Sequence, residues 1–223
     1  MEEAVVLFFH HRTDEVTRRH LHLLRTHNDF PVVPLFCDDE MGGTALDDAV
    51  RLPMTFQRGR NWHNVDWICR DWFRSSHRIE ARRYIWLEWD CLVNAPLRDW
   101  YSDLWEADFV ASSAVRPPAP WYWFRAQMAF LPHSLVPFAT GIAPLNGVVL
   151  SRRAMSTYAQ TDLPEGIFCE LRLPTVLASC GITVSELPPD KASQNRFLPN
   201  KASVPVLGQG LFHPVKTQVD ASG

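Results

Sequence analysis

Two acidic residues separated by one tryptophan, Glu88 and Asp90, follow the apolar run Tyr84–Leu87. The aromatic and β-branched residues of this run are typical of a buried strand. Residues two apart in a strand face the same side, so both carboxylates would project together if the strand continues to Asp90. Close carboxylates repel each other unless a proton or a cation relieves them, and Mg²⁺ or Mn²⁺ accepts such oxygen ligands. The pair therefore indicates a divalent cation site; alternatively, Glu88 caps or pairs with an arginine and Asp90 opens a turn.

Polar residues also follow two apolar runs near the start of the chain. After Ala4–Phe9 come four of them, His10, His11, Arg12 and Thr13. Asp38 follows the second run, Val32–Phe36. Ligands of an open parallel sheet bind at the carboxyl ends of its strands, so these residues are predicted to face the same crevice as the acidic pair. The alternatives are a solvated turn and helix cap for the first group and an Asx-turn for Asp38.

The elements that must position these side chains can be read from apolar periodicity. A helix capped by Thr13 and Asp14 separates the first two runs, which predicts a β-α-β opening. Further strands are expected near 54–56, 84–90, 108–111, 146–151 and 182–185. Helices are expected over 61–83 (long and amphipathic), 99–105, 152–160 and 168–180. The pattern predicts an α/β fold with a mostly parallel central sheet flanked by helices.

Length and composition favour one folded domain over residues 1–223, with a loop-rich tail from about residue 188. The 223 residues suffice for one sizeable core but would make two ordinary domains cramped. Apolar residues make up 46% of the chain and charged residues 21%, which is ordinary for a globular protein and excludes a disordered one.

Charge and targeting signals exclude several classes of partner. The net charge of −3 creates no field that attracts nucleic acid. Five arginines between residues 70 and 83 recur at near-helical spacing and are interpreted as a solvated helix face: Arg70, Arg74, Arg78, Arg82 and Arg83. The acidic N-terminus and its short apolar run do not resemble a signal peptide or a membrane span. Five cysteines without a CxxC pair indicate neither a zinc knuckle nor a disulfide framework, so a cytoplasmic location is expected.

A proline-rich aromatic segment covers residues 116–137. It contains Trp121, Tyr122 and Trp123 among five prolines, so it cannot be one regular helix. The composition leaves two interpretations open, a packed excursion or a wall of a ligand cleft.

The order of these motifs resembles the GT-A class of nucleotide-diphospho-sugar glycosyltransferases, over roughly residues 5–216. A hydrophobic strand that ends in acid-x-acid, after a β-α-β start and a long helix, is similar to the DxD motif of that class. Here Glu88 replaces the first aspartate, a tolerated variant. The resemblance therefore makes Asp90 the principal cation ligand and Glu88 its replaceable partner.

Three later segments resemble further parts of that class. The segment that contains Asn146 and Gly147 is similar to the strand beside the transferred sugar. Glu170, at the start of a predicted helix, corresponds to the catalytic base of inverting members. His213 resembles the late histidine that completes the metal site, and the position of Asp38 after the second strand is where the class often binds the nucleoside.

The function implied is metal-dependent transfer of a sugar, with inversion, from a UDP- or GDP-sugar to a glycan or other hydroxyl acceptor. Mn²⁺ or Mg²⁺ would neutralise the leaving diphosphate, Lys216 would add a positive charge there, and Glu170 would deprotonate the acceptor. Two alternatives from other classes remain at this point. One is a metal-dependent nucleotidyltransferase or phosphohydrolase, and the other is a non-catalytic carbohydrate-binding protein that uses some of the nine tryptophans.

Overall fold

The computed structural model describes residues 1–36, 44–52, 63–196 and 203–217, and these form a sheet between two layers of helices. The strands in these ranges are β1 (Glu2–His10), β2 (Val32–Phe36), β3 (Val50–Arg51), β4 (Ala81–Glu88), β5 (Leu92–Val93), β6 (Phe109–Ala111), β7 (Ala114–Val115), β8 (Gly141–Ile142), β9 (Val148–Ser151), β10 (Ser185–Glu186) and β11 (Leu211–Phe212). The helices are α1 (Glu15–His27), α2 (Val65–Arg74), α3 (Leu97–Trp100), α4 (Tyr122–Gln127), α5 (Arg152–Gln160), α6 (Cys169–Ser179) and α7 (Pro189–Ala192). Short 3-10 turns occupy Ser102–Leu104, Met128–Phe130 and Val136–Phe138.

Seven strands form the central sheet in the order β10-β6-β9-β4-β1-β2-β3. Strand β9 runs antiparallel to both of its neighbours, β4 and β6, and the other pairs in this sheet are parallel. The predicted α/β fold with a mostly parallel sheet flanked by helices is therefore confirmed. The reversed β9 places its first residues, rather than its last, beside the carboxyl end of β4.

The core lies on both faces of the sheet, as the continuous apolar strands require. In β1, Val5, Leu7 and Phe9 pack on one face with residues of α2, α5 and α6. The alternate residues of β1 pack on the opposite face with α1 and α3. The period of two in a strand thus divides a single apolar run between two layers of helices.

The helix predicted over residues 61–83 is shorter in the structure. Helix α2 ends at Arg74 because Ser75 leaves the helix, and its hydroxyl donates a hydrogen bond to the Trp72 carbonyl over 2.8 Å. The interpretation of the arginines as one solvated helix face was therefore wrong. Arg82 and Arg83 belong to β4, and Arg70 is buried with its guanidinium 4.0 Å from the centre of the Trp67 ring.

Other boundaries shift by a few residues. The strand predicted at 182–185 begins only at Ser185, and the one predicted at 146–151 begins at Val148. The helix expected over 99–105 is α3 followed by a 3-10 turn. The strand expected at 54–56 lies outside the described residues. No helix in the described ranges has both the length and the apolar character needed to span a membrane.

The segment from residue 203 to residue 217 returns to the carboxyl end of β4, the central strand of the sheet. Strand β11 pairs antiparallel with β5, which follows β4 directly. The backbone N–H of Val215 donates to the Asp90 carbonyl over 2.7 Å, which fixes the residues after β11 beside the acidic pair.

Candidate active site

A cleft of about 720 Å³ opens at the carboxyl end of β4. Its polar end consists of Glu88, Asp90, Glu170, His213 and Lys216. The rest of the lining is largely apolar and contains Trp121, Tyr122, Trp123, Phe168, Pro144 and Leu145. The predicted cation ligands, the predicted base and the predicted phosphate-binding lysine thus share one cavity. They come from three parts of the chain, near residues 90, 170 and 215, and more than forty residues separate each part from the next.

Glu88 and Asp90 converge through a turn rather than along a strand. Strand β4 ends at Glu88, and the N–H of Cys91 donates to the Glu88 carbonyl over 2.9 Å, which closes the turn. The condition that the strand continues to Asp90 is therefore not met. The turn nevertheless brings both carboxylates to the same imidazole, because the distances from His213 Nε2 are 3.5 Å to Asp90 Oδ1 and 3.9 Å to Glu88 Oε2.

The two carboxyl groups differ in their electrostatic surroundings. Burial, followed by the adjacent charge of Asp90, raises the pKa of Glu88 to about 7. Burial also acts to raise the pKa of Asp90, but His213 and Lys216 outweigh this effect and the pKa of Asp90 is lowered. Lys216 Nζ lies 3.3 Å from Asp90 Oδ2. Asp90 is thus the carboxylate that remains ionised in this pair.

The donor set fits a divalent cation. One ligand atom from each of Glu88, Asp90 and His213 can be chosen so that all three lie within 4.8 Å of one another. Asp90 Oδ1 is buried and makes no hydrogen bond with the described residues, so it is a buried acceptor that a cation would satisfy. Carboxylate oxygens and an imidazole nitrogen are ligands that divalent cations accept in proteins.

Glu170 lies in the first turn of α6 and faces the same cleft. Its Oε1 accepts a hydrogen bond from the Leu145 N–H over 3.0 Å, which leaves Oε2 to take a proton. The helix start is fixed from another element, since Gln127 Oε1 accepts a hydrogen bond from the Phe168 N–H over 2.6 Å. Burial, and to a lesser degree the charge of Glu88, raises the pKa of Glu170 to about 8. A carboxylate of this kind is a stronger base than an ordinary glutamate.

A buried ion pair supports the same helix. Arg172 donates two hydrogen bonds to Asp66 of α2, and both side chains are fully buried. The Tyr158 hydroxyl of α5 donates to the same carboxylate. These contacts connect α2, α5 and α6 beneath the turn that carries Glu170.

Asn146 and Gly147 lie beneath the cleft rather than in its lining. Asn146 is 1% exposed, and its Oδ1 accepts a hydrogen bond from the Glu88 N–H. Gly147 adopts φ 76° and its carbonyl accepts a hydrogen bond from the Tyr101 hydroxyl over 2.7 Å. A Cβ at this glycine would lie 2.6 Å from Asn195 Nδ2, so the close packing excludes a side chain. Asn146 thus positions the backbone of Glu88, and the Gly147 N–H donates to the Trp86 carbonyl of β4 over 2.8 Å. The contact of both residues with a sugar stays a prediction.

His10, the last residue of β1, and the three residues that follow it lie outside the lining of this cleft. His10 is buried between aromatic rings, with burial lowering its pKa, and Thr13 shares a 2.7 Å hydroxyl hydrogen bond with Thr44. The ring of His11 meets Trp89 edge-on, and the Arg12 guanidinium lies 4.5 Å from the centre of the Trp89 ring. Asp38 lies outside the described residues. The proposed nucleoside contacts of this group therefore stay predictions.

Sequence reasoning left the role of the aromatic segment open, and the structure places part of it at the cleft. Trp121, Tyr122 and Trp123 line the cleft together with Phe168. The available signal was the run of three aromatic residues, of which Trp121 precedes α4 and the other two begin it. Asn195 was missed entirely: its Nδ2 donates to the Asn146 carbonyl over 2.6 Å, and a lone asparagine in a loop offers no pattern.

Comparisons with known proteins were made for the whole chain. No family model matches it, and no curated protein matches it. Among solved structures, the crystal structure of S. aureus TarS 1–349 is similar with a TM-score of 0.44 and 12% sequence identity. The match covers 83% of this chain and 58% of that chain, so the chain spans less than two thirds of that structure. The function is therefore inferred from the cleft.

Proposed function

We propose that this chain is a metal-dependent glycosyltransferase that moves a sugar from a nucleoside diphosphate donor to a hydroxyl acceptor with inversion. The observation that carries the proposal is the meeting of a cation-ligand set and a strong carboxylate base in one cleft. Glu88, Asp90 and His213 form the ligand set, and Glu170 is the base.

Departure of a nucleoside diphosphate requires that its developing negative charge be stabilised. A divalent cation held by Asp90, Glu88 and His213 supplies Lewis-acid neutralisation of that charge when it is bound. Lys216 is fixed beside Asp90 and adds a positive charge from the chain itself. Asp90 holds this ammonium group at the polar end of the cleft, where the phosphates of the donor would lie.

The acceptor hydroxyl must lose its proton as it attacks the anomeric carbon. Glu170 Oε2 takes this proton, while the Leu145 N–H holds Oε1 and fixes the orientation of the carboxylate. Attack on the side opposite the leaving diphosphate inverts the anomeric centre. The raised pKa of Glu170 strengthens it as a base, so turnover should rise as the pH increases through about 8 and deprotonates it.

The first experiment is a screen of UDP-, GDP- and TDP-sugars for release of free sugar with Mn²⁺ and with EDTA, since water can replace the acceptor. We expect Mn²⁺-dependent release of sugar and nucleoside diphosphate from at least one donor. The Asp90→Asn variant should lose this activity, and the exposed Asp48→Asn substitution serves as the matched control. Cleavage of the donor to a nucleoside monophosphate and a sugar 1-phosphate instead would favour the phosphohydrolase alternative, and release of pyrophosphate from an added nucleoside triphosphate would favour the nucleotidyltransferase alternative. Nucleotide binding that is equal in EDTA and Mn²⁺ would overturn the metal assignment.

The base is tested separately from the metal site. Glu170→Gln keeps an amide oxygen that can accept the Leu145 hydrogen bond but cannot take a proton at neutral pH. We expect calorimetry to show unchanged nucleotide affinity in this variant and transfer to fall by about 10²–10⁴-fold. Near-normal turnover in Glu170→Gln would exclude Glu170 as the base.

A further inference from the structure

Four aromatic residues of the cleft lining, Trp121, Tyr122, Trp123 and Phe168, form a surface named here the aromatic wall. Tyr122 is 61% exposed, and Trp121 and Trp123 are half-buried. Adjacent aromatic rings that face a cleft expose apolar area to water, which marks a ligand-binding surface more often than a single exposed ring does.

The wall is held in a fixed arrangement. The Trp123 and Phe168 rings lie 4.1 Å apart at an angle of 31°, and the Tyr122 ring meets Trp123 edge-on at 4.8 Å. The ring of Trp121 lies against Gly141, where any Cβ would overlap it. His63 contacts both Trp123 and Phe168 edge-on. The wall is therefore a preformed platform that needs little ordering when a ligand binds.

The aromatic wall lies in the part of the cleft near Glu170, where the acceptor of the proposed reaction would bind. Phe168 precedes the base Glu170 by two residues, and the Glu170 carboxylate is held by Leu145, which also lines the cleft. Strands β1 and β2 lie on the other side of β4, where His11 and Arg12 contact Trp89. The wall and the residues after β1 therefore flank the acidic pair from opposite sides.

The charge of the cleft restricts the ligand. The wall contributes no charged side chain, and the carboxyl groups of Glu88 and Glu170 disfavour an anionic acceptor near the base. Lys216, the one lysine or arginine among the described lining residues, is paired with Asp90. The ligand that fits is neutral, has a flat apolar face for the rings and carries hydroxyl groups at its edge for Glu170. A pyranose ring has this combination.

We propose that the acceptor of the proposed transferase is itself a sugar, bound with the apolar face of its ring stacked on the aromatic wall and one hydroxyl directed at Glu170. This inference rests on the proposed function and narrows it, since a serine or threonine side chain of a peptide has no such face. Tyr122 and Trp123 then determine acceptor specificity and leave donor binding to the other end of the cleft.

The test uses saturation-transfer NMR on the full chain with Mn²⁺ and UDP or GDP, whichever binds by calorimetry. The probes are the methyl glycosides of glucose, galactose, mannose and N-acetylglucosamine, with a serine-containing hexapeptide as the competing class. We expect at least one glycoside to receive saturation mainly at the C–H protons of one ring face. Tyr122→Ala should weaken its binding by about tenfold. Phe130→Ala, an exposed aromatic substitution outside the cleft lining, should leave it unchanged.

The outcomes separate the inference from the function on which it rests. Two outcomes would overturn the inference and leave the transferase proposal intact. In the first, the nucleotide binds but no glycoside does. In the second, the nucleotide binds, and so does the peptide, in a way that Tyr122→Ala abolishes. Glycoside binding that neither Tyr122→Ala nor Trp123→Phe weakens would also overturn it. If neither nucleotide binds, the transferase proposal fails. A glycoside that still binds the aromatic wall is then a ligand but not the acceptor of a transferase.

Discussion

The side chain of Asn146 accepts a hydrogen bond from the backbone nitrogen of Glu88, with 3.1 Å between Oδ1 and N. This contact exists because β9 is antiparallel to β4, so the residues that precede β9 meet the residue at which β4 ends. Asn146 is held in turn by Asn195, and Glu88 therefore leaves the sheet in a direction fixed by buried hydrogen bonds.

Removing this acceptor should loosen the cation site. Asn146→Ala leaves the Glu88 N–H without its acceptor, so we expect the free energy of unfolding to fall by about 1–3 kcal/mol. Calorimetry should show Mn²⁺ affinity weaker by about tenfold or more, as for other residues that orient a ligand.

The matched control for this variant is Asn28→Ala. Asn28 is also buried, and its Oδ1 accepts a hydrogen bond from the Leu97 N–H over 2.7 Å, in a part of the chain that does not line the cleft. We expect a similar loss of stability with no change in Mn²⁺ affinity. Equal Mn²⁺ affinities in the two variants would show that Asn146 has no positioning role.

Lys216 should affect cation and nucleotide binding in opposite directions. Its ammonium group lies 3.3 Å from Asp90 Oδ2, so it repels a cation at Asp90 but attracts a diphosphate. In Lys216→Ala we expect Mn²⁺ alone to bind more tightly and the nucleoside diphosphate to bind more weakly, both by titration calorimetry. Lys191→Ala removes a lysine that donates to the Trp100 carbonyl outside the cleft and should change neither affinity. Changes of the same sign in both affinities would contradict the assignment of Lys216 to the phosphates.

The burial of Glu170 should appear in the pH dependence of stability. The folded protein raises the pKa of this group to about 8 from the ordinary value of 4.5, so it binds more protons than the unfolded chain between these values. The stability contributed by protonated Glu170 is complete below the unfolded pKa and is lost as the pH rises towards about 8. Glu170→Gln lacks this titration. Urea unfolding should therefore show the variant gaining stability relative to the wild type from about pH 5 to about pH 8, and a constant difference would contradict the burial of an ionisable group there.

The buried pair between Asp66 and Arg172 should be the most sensitive of the described ion pairs. Arg172→Met removes the cation and leaves the Asp66 carboxylate buried without charge compensation, which costs about 3–5 kcal/mol. The exposed pair of Arg25 and Asp48 supplies the control, since Arg25→Ala should cost only about 0–1 kcal/mol. Chemical denaturation of the two variants gives both values, and comparable losses would show that the buried pair has no special weight.

The strands that the sequence predicted well are those with a continuous apolar run. The central residues of strands β1, β2 and β4 are buried on both faces, so consecutive positions there carry the apolar signal. Strands β5 and β11 contain two residues each and are defined by their pairing with one another, which no local pattern encodes. The mostly parallel sheet was predictable for the same reason, whereas the reversal of β9 depends on the long path of the chain between β4 and β9.

The chemical groups of the candidate site were predictable by residue type but not by geometry. The acids at Glu88 and Asp90 are adjacent in sequence, yet they converge through a turn that ends the strand. Glu170 and His213 were identified through the order of motifs, and their distance from the acids depends on the packing of α6 and on the pairing of β11. The supporting contacts of Asn195 and Gln127 are single hydrogen bonds between distant segments, so sequence periodicity contains no record of them.

The pairing of β11 with β5 also has a consequence for the order of folding. Glu88 ends β4 and Asp90 lies in the turn that follows, but His213 and Lys216 reach them only when a segment more than one hundred residues later pairs with β5. Contacts of such long range close large loops and form late. A folding intermediate in which the sheet is complete but this segment is undocked would hold two repelling acids without their cationic partner. If the same segment opens locally in the native protein, the site comes apart while the sheet stays folded.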